Sequence, residues 1–592
     1  VSEIDARDDV LGKAYDARIA RRLWTYVRPH RGLVAATILL VLLGGAAQLV
    51  QPWIVKVAID SFILERRATE LAIPAFLFLA ALLAEFGLGW LQIYALETTG
   101  QNAVLALRLD VFSHLQRLPA AFFDRNPVGR LMTRVTTDVE SIHEAFASGV
   151  VLILADLLKL AGIVGILLWM DWRLALVTFA VLPPMLLVSW YFRTRVREAY
   201  RAVRGAIARV NAFLQESVTG MRVLQSFGRE TANLSEFDGL NARHRDAQLD
   251  GVFFESAFSA VAELMASATL AAIVWAGGGR LLDGAVTFGT LVAFIEYAGR
   301  FFRPVQELTQ RYTIMQAAMA ASERIFQLLD TRATIVSPEA PVRIEGRPRG
   351  EIGFERVRFS YDGSTPVLDD VSFRIASGER VAVVGWTGSG KSTLIRLLAR
   401  LYDVEDGRVT LDGIDVRRYE LADLRRSIGV VLQDHFLFAD SVAMNLSLGD
   451  PRIGPETIRR AARAVGADRF LERLPRGYDE QILERGANFS AGERQLLSFA
   501  RALAFDPPVL VLDEATSSVD PETERAIQES LETLLAGRTS ITIAHRLATV
   551  RRADRILVLH RGRVAEEGTH EALLARPEGI YRTLWTLQHG DS

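Results

Sequence analysis

The chain is 592 residues long with a formal net charge of −2; 50% of it is hydrophobic, 23% is charged, and it has no cysteine. That length exceeds what one hydrophobic core supports and predicts two or three domains. The near-neutral balance argues against a global affinity for nucleic acid, and the missing thiols exclude disulfides, thiolate metal sites and cysteine nucleophiles.

In chain order, Ala17–Val27 puts Ile19, Leu23, Trp24 and Val27 on one helical face, with Arg18, Arg21, Arg22 and the following Arg28 elsewhere. This pattern predicts a helix lying in a membrane interface, a soluble amphipathic helix being the alternative. The charged first thirty residues carry no apolar signal core, so no cleaved leader is expected. Six segments then approach the roughly 20 apolar residues that cross a bilayer. They are Leu33–Ile59, Leu71–Leu96, Val150–Met170, Leu174–Phe192, Val252–Ala276 and Val286–Phe302.

Arginines orient them. The second-to-third connection holds Arg108, Arg117, Arg125, Arg130 and Arg134, and the fourth-to-fifth runs from Arg193 through Arg245. The opposite loops have only Arg66 and Arg67, Arg173, and Arg280. The long connections and both termini are therefore expected in the cytoplasm, on a multi-pass protein of the plasma membrane. Each long connection has helical periodicity, and two helices of about 25 residues would reach some 35 Å past the bilayer. Their tips are expected near Phe122–Pro127 and Gln215–Gly220.

Pro338, Pro341 and Pro348 with Gly346 and Gly350 mark a linker, after which strand-like and helix-like runs alternate. The expected domains are a cytoplasmic N-terminus at 1–32, a six-helix membrane domain at 33–330, a linker at 331–350 and a nucleotide-binding α/β domain at 351–592. The fold class is thus an α-helical membrane domain with long cytoplasmic stalks joined to a C-terminal α/β P-loop NTPase domain.

That last assignment rests on Gly385-Trp386-Thr387-Gly388-Ser389-Gly390-Lys391-Ser392, between the apolar run Val381–Val384 and a helical segment that continues through Thr393. Glycines let backbone N–H groups curl around phosphates, and the helix N-terminus adds partial positive charge. Lys391 would reach the β/γ-phosphates and the Ser392 hydroxyl would ligate Mg²⁺. The chain's only lysines are Lys13, Lys56, Lys159 and Lys391, so a compact ammonium stands here in a chain that otherwise uses arginine. Downstream, Val509-Leu510-Val511-Leu512-Asp513-Glu514 reads as a buried strand ending in two acids. Asp513 suits the metal and Glu514 suits polarisation of a hydrolytic water.

With these two motifs the segment resembles the nucleotide-binding domain of ATP-binding cassette (ABC) proteins, and further family motifs recur in order. Tyr361 matches the aromatic that stacks on adenine, and Gln433 the glutamine that senses Mg²⁺ and water. Glu484-Arg485-Gly486 matches an exporter motif, Phe489-Ser490-Ala491-Gly492-Glu493 occupies the signature position, Asp520 lies in the interface loop, and His545 matches the switch histidine. Six spans, two stalks and a C-terminal cassette are similar to an exporter half-transporter, and Phe122-Phe123-Asp124 with Gly129, Arg130, Arg134 and Asp138 also fits. The resemblance implies ATP and Mg²⁺ as cofactors and a dimer in which each ATP lies between one chain's phosphate loop and the other's signature. It implies trans contacts from Ser490, Ala491, Gly492, Glu493 and Asp520.

The signature departs from the family's Leu-Ser-Gly-Gly-Gln. Ala491 adds a Cβ, and Glu493 sets a carboxylate toward the partner-held triphosphate, a repulsion of about 3 kcal/mol at roughly 6 Å and an effective dielectric near 20, unless Arg494 offsets it. Lys391, Asp513, Glu514 and His545 match the family. This asymmetry suggests a heterodimer over a homodimer that tolerates the variant.

For cargo, Glu85, Glu263 and Glu296 with Phe294 and Tyr297 could line a cavity for amphipathic cations, or the acids could serve interhelical hydrogen bonds. Asp156 and Lys159 are expected to pair. The expected function is ATP-driven export of a drug-like or lipid amphiphile; an ATP-gated channel or regulator, or an importer, is the alternative on this scaffold.

Overall fold

A computed structural model describes residues 16–148, 150–514, 521–544 and 550–589. By internal contacts the chain forms two compact units, one of residues 1–113 and 132–330, the other of residues 114–131 and 331–592.

The first unit is helical. Helix α1 (Ala17–Val27) is capped by Asp16, whose carboxylate accepts the Arg18 N–H at 2.8 Å. Leu23 and Val27 are buried, whereas Trp24 stands out at 49% exposed, so the expected single apolar face divides into a packed side and an exposed aromatic. There follow α2 (Arg31–Ala58), α3 (Ala72–Leu115), α4 (Ala120–Arg125), α5 (Val128–Thr133), α6 (Val139–Ser148) and α7 (Val150–Met170). After them come α8 (Trp172–Phe179), α9 (Leu182–Thr219), α10 (Met221–Ser226), α11 (Glu230–Leu282) and α12 (Phe288–Leu329). Of these, α4 and most of α5 belong to the second unit.

Helices α3 (44 residues) and α11 (53 residues) run unbroken from apolar to polar sequence, about 66 and 80 Å at 1.5 Å per residue. Among the described residues five helical stretches are long and apolar enough to cross a membrane. The sixth expected segment lies in α12, where Glu296, Arg300 and Arg303 fall close together. The fourth expected span lies in one apolar stretch, Trp172–Thr219, that is interrupted locally. Pro183 and Pro184 lack the N–H groups that would continue α8, so the chain turns at Ala180–Val181 and α9 restarts with its prolines in the first turn. The two expected tips are also breaks: Pro119 and Asn126 flank α4, and Gly220 separates α9 from α10. Exposed aromatics, Trp90, Tyr94, Trp169, Trp172, Trp190 and Trp275 among them, lie near the ends of the expected apolar segments, where headgroup-level rings are found in membrane proteins.

Buried charges in this unit are paired. Asp138 accepts from Arg134 at 2.8 Å and from Arg324 at 2.5 Å, tying the turn after α5 to α12. Asp156 pairs with Arg311 of α12 at 2.9 Å rather than with Lys159, which corrects the expectation from spacing. The Lys159 stem instead lies against Gly45 of α2. A lone i,i+3 pair inside a bilayer yields to a guanidinium that a neighbouring helix delivers.

The second unit holds two sheets. Strands β1 (Ile352–Ser360), β2 (Pro366–Ile375), β4 (Asp406–Leu411) and β5 (Ile414–Asp415) make an antiparallel sheet in the order β2-β1-β4-β5. The other sheet runs β10-β9-β3-β8-β7-β6, with β3 (Arg380–Gly385), β6 (Ile428–Val431), β7 (Val509–Glu514), β8 (Thr539–Ala544), β9 (Arg555–His560) and β10 (Arg563–Gly568). All of its pairings are parallel except β10 with β9. Central strands β3 and β7 are apolar on both faces, as a sheet covered on both sides requires. The C-terminal ends of β3 and β7, two strands apart, therefore face one edge.

Candidate nucleotide-binding site

At that edge β3 ends on Gly385, whose added Cβ would sit 2.2 Å from the Leu559 carbonyl oxygen of β9; no larger residue fits. Gly390 has φ +100°, the left-handed region where a side chain is strained, and the helix Lys391–Leu398 starts from it. The loop between is thereby bent into a cradle at a helix N-terminus, the geometry that receives phosphate.

Lys391 is 8% exposed and its Nζ donates to the carbonyls of Gly385 (2.8 Å) and Trp386 (3.0 Å). Burial holds its pKa below the ordinary lysine value, with the Asp513 carboxylate acting against that. The ammonium is thus held inside the loop, at the hollow's base. Ser392 Oγ donates to Asp513 Oδ2 at 3.2 Å, so a hydroxyl from the first turn of the helix and a carboxylate from the end of β7 meet beside the loop. Two oxygen donors of that kind suit a hard divalent cation. Trp386 and Thr387 are exposed on the rim, and the Ser389 hydroxyl is buried without a protein partner among the described residues.

Tyr361 stands beside the loop. Its hydroxyl lies 3.0 Å from Thr393 Oγ1, and its ring meets Phe359 and Tyr402 edge-on. Gln433 is exposed just after β6. Glu514 closes β7, while Asp520 and His545 lie outside the described residues.

The signature sequence opens the helix Ala491–Phe505 and forms a capping box: Ser490 Oγ accepts the Glu493 N–H at 3.2 Å, and Glu493 Oε2 accepts the Ser490 N–H at 2.8 Å. Ala491 is the first helical residue with no positive φ, so its Cβ brings no backbone strain. Arg494 does not answer Glu493. Its guanidinium donates to the carbonyls of Phe489 (2.7 Å) and Gly486 (3.4 Å).

The structure does not gather the five expected cargo residues. Phe294 and Tyr297 are fully buried among packed helices, the Tyr297 hydroxyl donating to the Leu49 carbonyl, so neither lines a cavity. Glu85 accepts from Gln51, which in turn accepts from Arg300. Glu296 is half-buried, and Glu263 is exposed on α11. Period and charge could not distinguish an inward ring from a packed one.

Three residues escaped sequence reasoning. Arg396 and Tyr402 flank Tyr361, the first following the phosphate loop by four residues, and only the tertiary fold brings them there. His435 lines a small cavity behind Asp513 with Gln495 and Phe499. Burial and the nearby Arg494 push its pKa down to about 4.

Residues 34–305 match the family described as ABC transporter transmembrane region, and residues 368–517 the family described as ABC transporter. The chain is 38% identical over 584 residues to the uncharacterized ABC transporter ATP-binding protein YknV of Bacillus subtilis (strain 168), covering 98% of this chain and 96% of the relative. It is 38% identical over 571 residues to an ATP-dependent lipid A-core flippase of Chromohalobacter salexigens, covering 96% and 97%. Among solved structures it is similar to a bacterial Atm1-family ABC exporter with ATP bound, at TM-score 0.76 and 29% identity over 95% of this chain and 99% of that one.

Proposed function

This chain belongs to the ABC transporter family as an exporter-type transporter ATPase of the membrane, and on that footing we propose that it is one half of a dimer that exports an amphipathic drug-like or lipid substrate. The observation that carries the proposal is the meeting of Lys391, Ser392 and Asp513 at one sheet edge in a chain that also has long apolar helices.

In this reading the backbone of Gly385 through Ser392 cradles the triphosphate of ATP, with Lys391 turning from its loop carbonyls to the β/γ-phosphates. Tyr361 offers its ring to the adenine. Mg²⁺ would be held by Ser392 and Asp513, with Gln433 toward it, and when bound it neutralises charge on the phosphates. Glu514 takes the role of polarising the attacking water, and His545, by its match to the family's switch histidine, the role of contacting the γ-phosphate. Ser490, Ala491, Gly492, Glu493 and Asp520 serve the nucleotide held by the second chain.

ABC exporters work as dimers, and we favour a second, different half-transporter here. Glu493 brings a carboxylate to the signature while this chain's own nucleotide residues match the family pattern, so the competent site pairs them with a partner's signature. For the cargo, the name of the flippase relative supports a lipid. Inside-out vesicles carrying the dimer should accumulate substrate against its gradient with ATP, and Glu514→Gln should abolish this while ATP still binds. Downhill flux that needs ATP binding but not Glu514 would point to a gated channel instead.

A further inference from the structure

The short helix Ala120–Arg125 belongs by its contacts to the unit that holds the nucleotide site. Its acid Asp124 accepts the Tyr402 hydroxyl at 2.5 Å and lies 3.4 Å from Arg396 Nη1. The same Arg396 nitrogen lies 3.4 Å from the Tyr361 hydroxyl, with the guanidinium carbon 5.6 Å from the centre of that ring. Tyr402 stands edge-on to Tyr361 at 5.2 Å and 88°. The neighbouring Arg125 donates to the Tyr361 carbonyl at 2.8 Å.

Tyr361 is therefore restrained at its carbonyl, ring edge, ring face and hydroxyl. Three of those four restraints lead to Asp124 or Arg125, and the fourth leads to Thr393. Burial and the Asp124 carboxylate push the Tyr402 pKa up to about 12, so its hydroxyl remains a donor at neutral pH. The Arg396 contacts are long and partly exposed, and they act as an electrostatic bridge. The Tyr402–Asp124 bond is the short, charge-assisted one.

We propose that Asp124, acting through Tyr402 and Arg396, is a positioning residue for the nucleobase platform Tyr361. This rests on the reading of Tyr361 as the base-stacking residue.

The test uses the full-length dimer in lipid nanodiscs. ATPase KM for MgATP is measured together with competitive inhibition by magnesium tripolyphosphate, which has the phosphates but no base. Asp124→Asn keeps shape and removes charge; Tyr402→Phe keeps the ring and removes the donor. Each should raise KM for MgATP on the order of fivefold, the lower end of measured couplings, with kcat and tripolyphosphate inhibition unchanged. The double variant should lose no more than either single one, because both cut the same link. Tyr361→Ala separates the two levels. If it shifts the ATP-to-tripolyphosphate ratio while Asp124→Asn and Tyr402→Phe do not, the link is wrong and the platform stands. If Tyr361→Ala leaves the ratio unchanged, the platform reading fails. Equal weakening of both ligands by the Asp124 and Tyr402 variants makes those residues merely structural and overturns the proposal.

Discussion

At the residue scale, the signature departures can be separated into local and intermolecular effects. The capping box shows that Glu493 has a structural task a glutamine could share, since Gln also serves at that position of the box. Glu493→Gln should therefore leave melting temperature nearly unchanged while, if the proposed dimer holds, raising its ATPase turnover, because the substitution removes the charge that the proposal sets against the second nucleotide. Ser490→Ala, by contrast, should cost about 1 kcal/mol of stability through the lost cap. A stability scan beside an ATPase assay of both variants separates the two roles. Lowered melting without a turnover change for Glu493→Gln would put the whole cost in the cap.

His435 supplies a pH prediction at the same scale. Its folded pKa of about 4 is below the ordinary 6.5, so the unfolded chain binds the extra proton first as pH falls. Stability contributed by the neutral, buried ring is full above pH 6.5 and declines down to about pH 4, by at most about 1.4 kcal/mol per pH unit. Melting curves from pH 7.5 to 5 should fall less steeply for His435→Gln than for the unaltered protein.

At the scale of elements, the buried carboxylate Asp138 holds the turn after α5 against α12 through two arginines. Asp138→Asn should destabilise the membrane unit by about 3 kcal/mol, the usual cost of breaking a buried ion pair from one side. Proteolysis or thermal aggregation of the full chain in detergent would measure it, and an unchanged midpoint would mean that the arginines are held elsewhere. The split between α8 and α9 is a local matter. Pro183 and Pro184 announce a break, yet hydropathy alone reads straight across them, because apolar content does not record a missing N–H donor. The two cytoplasmic tips were legible for the opposite reason. Proline, asparagine and glycine there interrupt otherwise regular helical runs, and breaks followed at both places.

At the scale of the whole molecule, the variant signature predicts an unequal pair. Expressed alone, this chain should yield little basal ATPase, and co-expression with a half-transporter carrying the unaltered signature should restore it by an order of magnitude or more. A stable dimer of this chain alone with full turnover would refute the unequal pair. Membership in the exporter family is independent of that outcome, because it rests on matches along nearly the entire chain.

What the amino-acid order determined by itself is whatever depends on neighbours along the chain. The phosphate loop and the strand that ends Asp513-Glu514 use short-range spacing and appear at their expected places, and five of the six expected apolar segments fall in helical stretches long and apolar enough to cross a membrane. Pairings across helices required the folded chain. Asp156 lies one turn from Lys159 yet bonds Arg311, and Tyr297 has an aromatic's promise for cargo yet is packed away. Arg494 adjoins Glu493 and still turns to carbonyls behind it. Arg396, Tyr402 and Asp124 are separated by up to 278 positions and meet around Tyr361. Side-chain partners inside a protein are chosen by desolvation and packing between distant segments, which linear spacing does not encode.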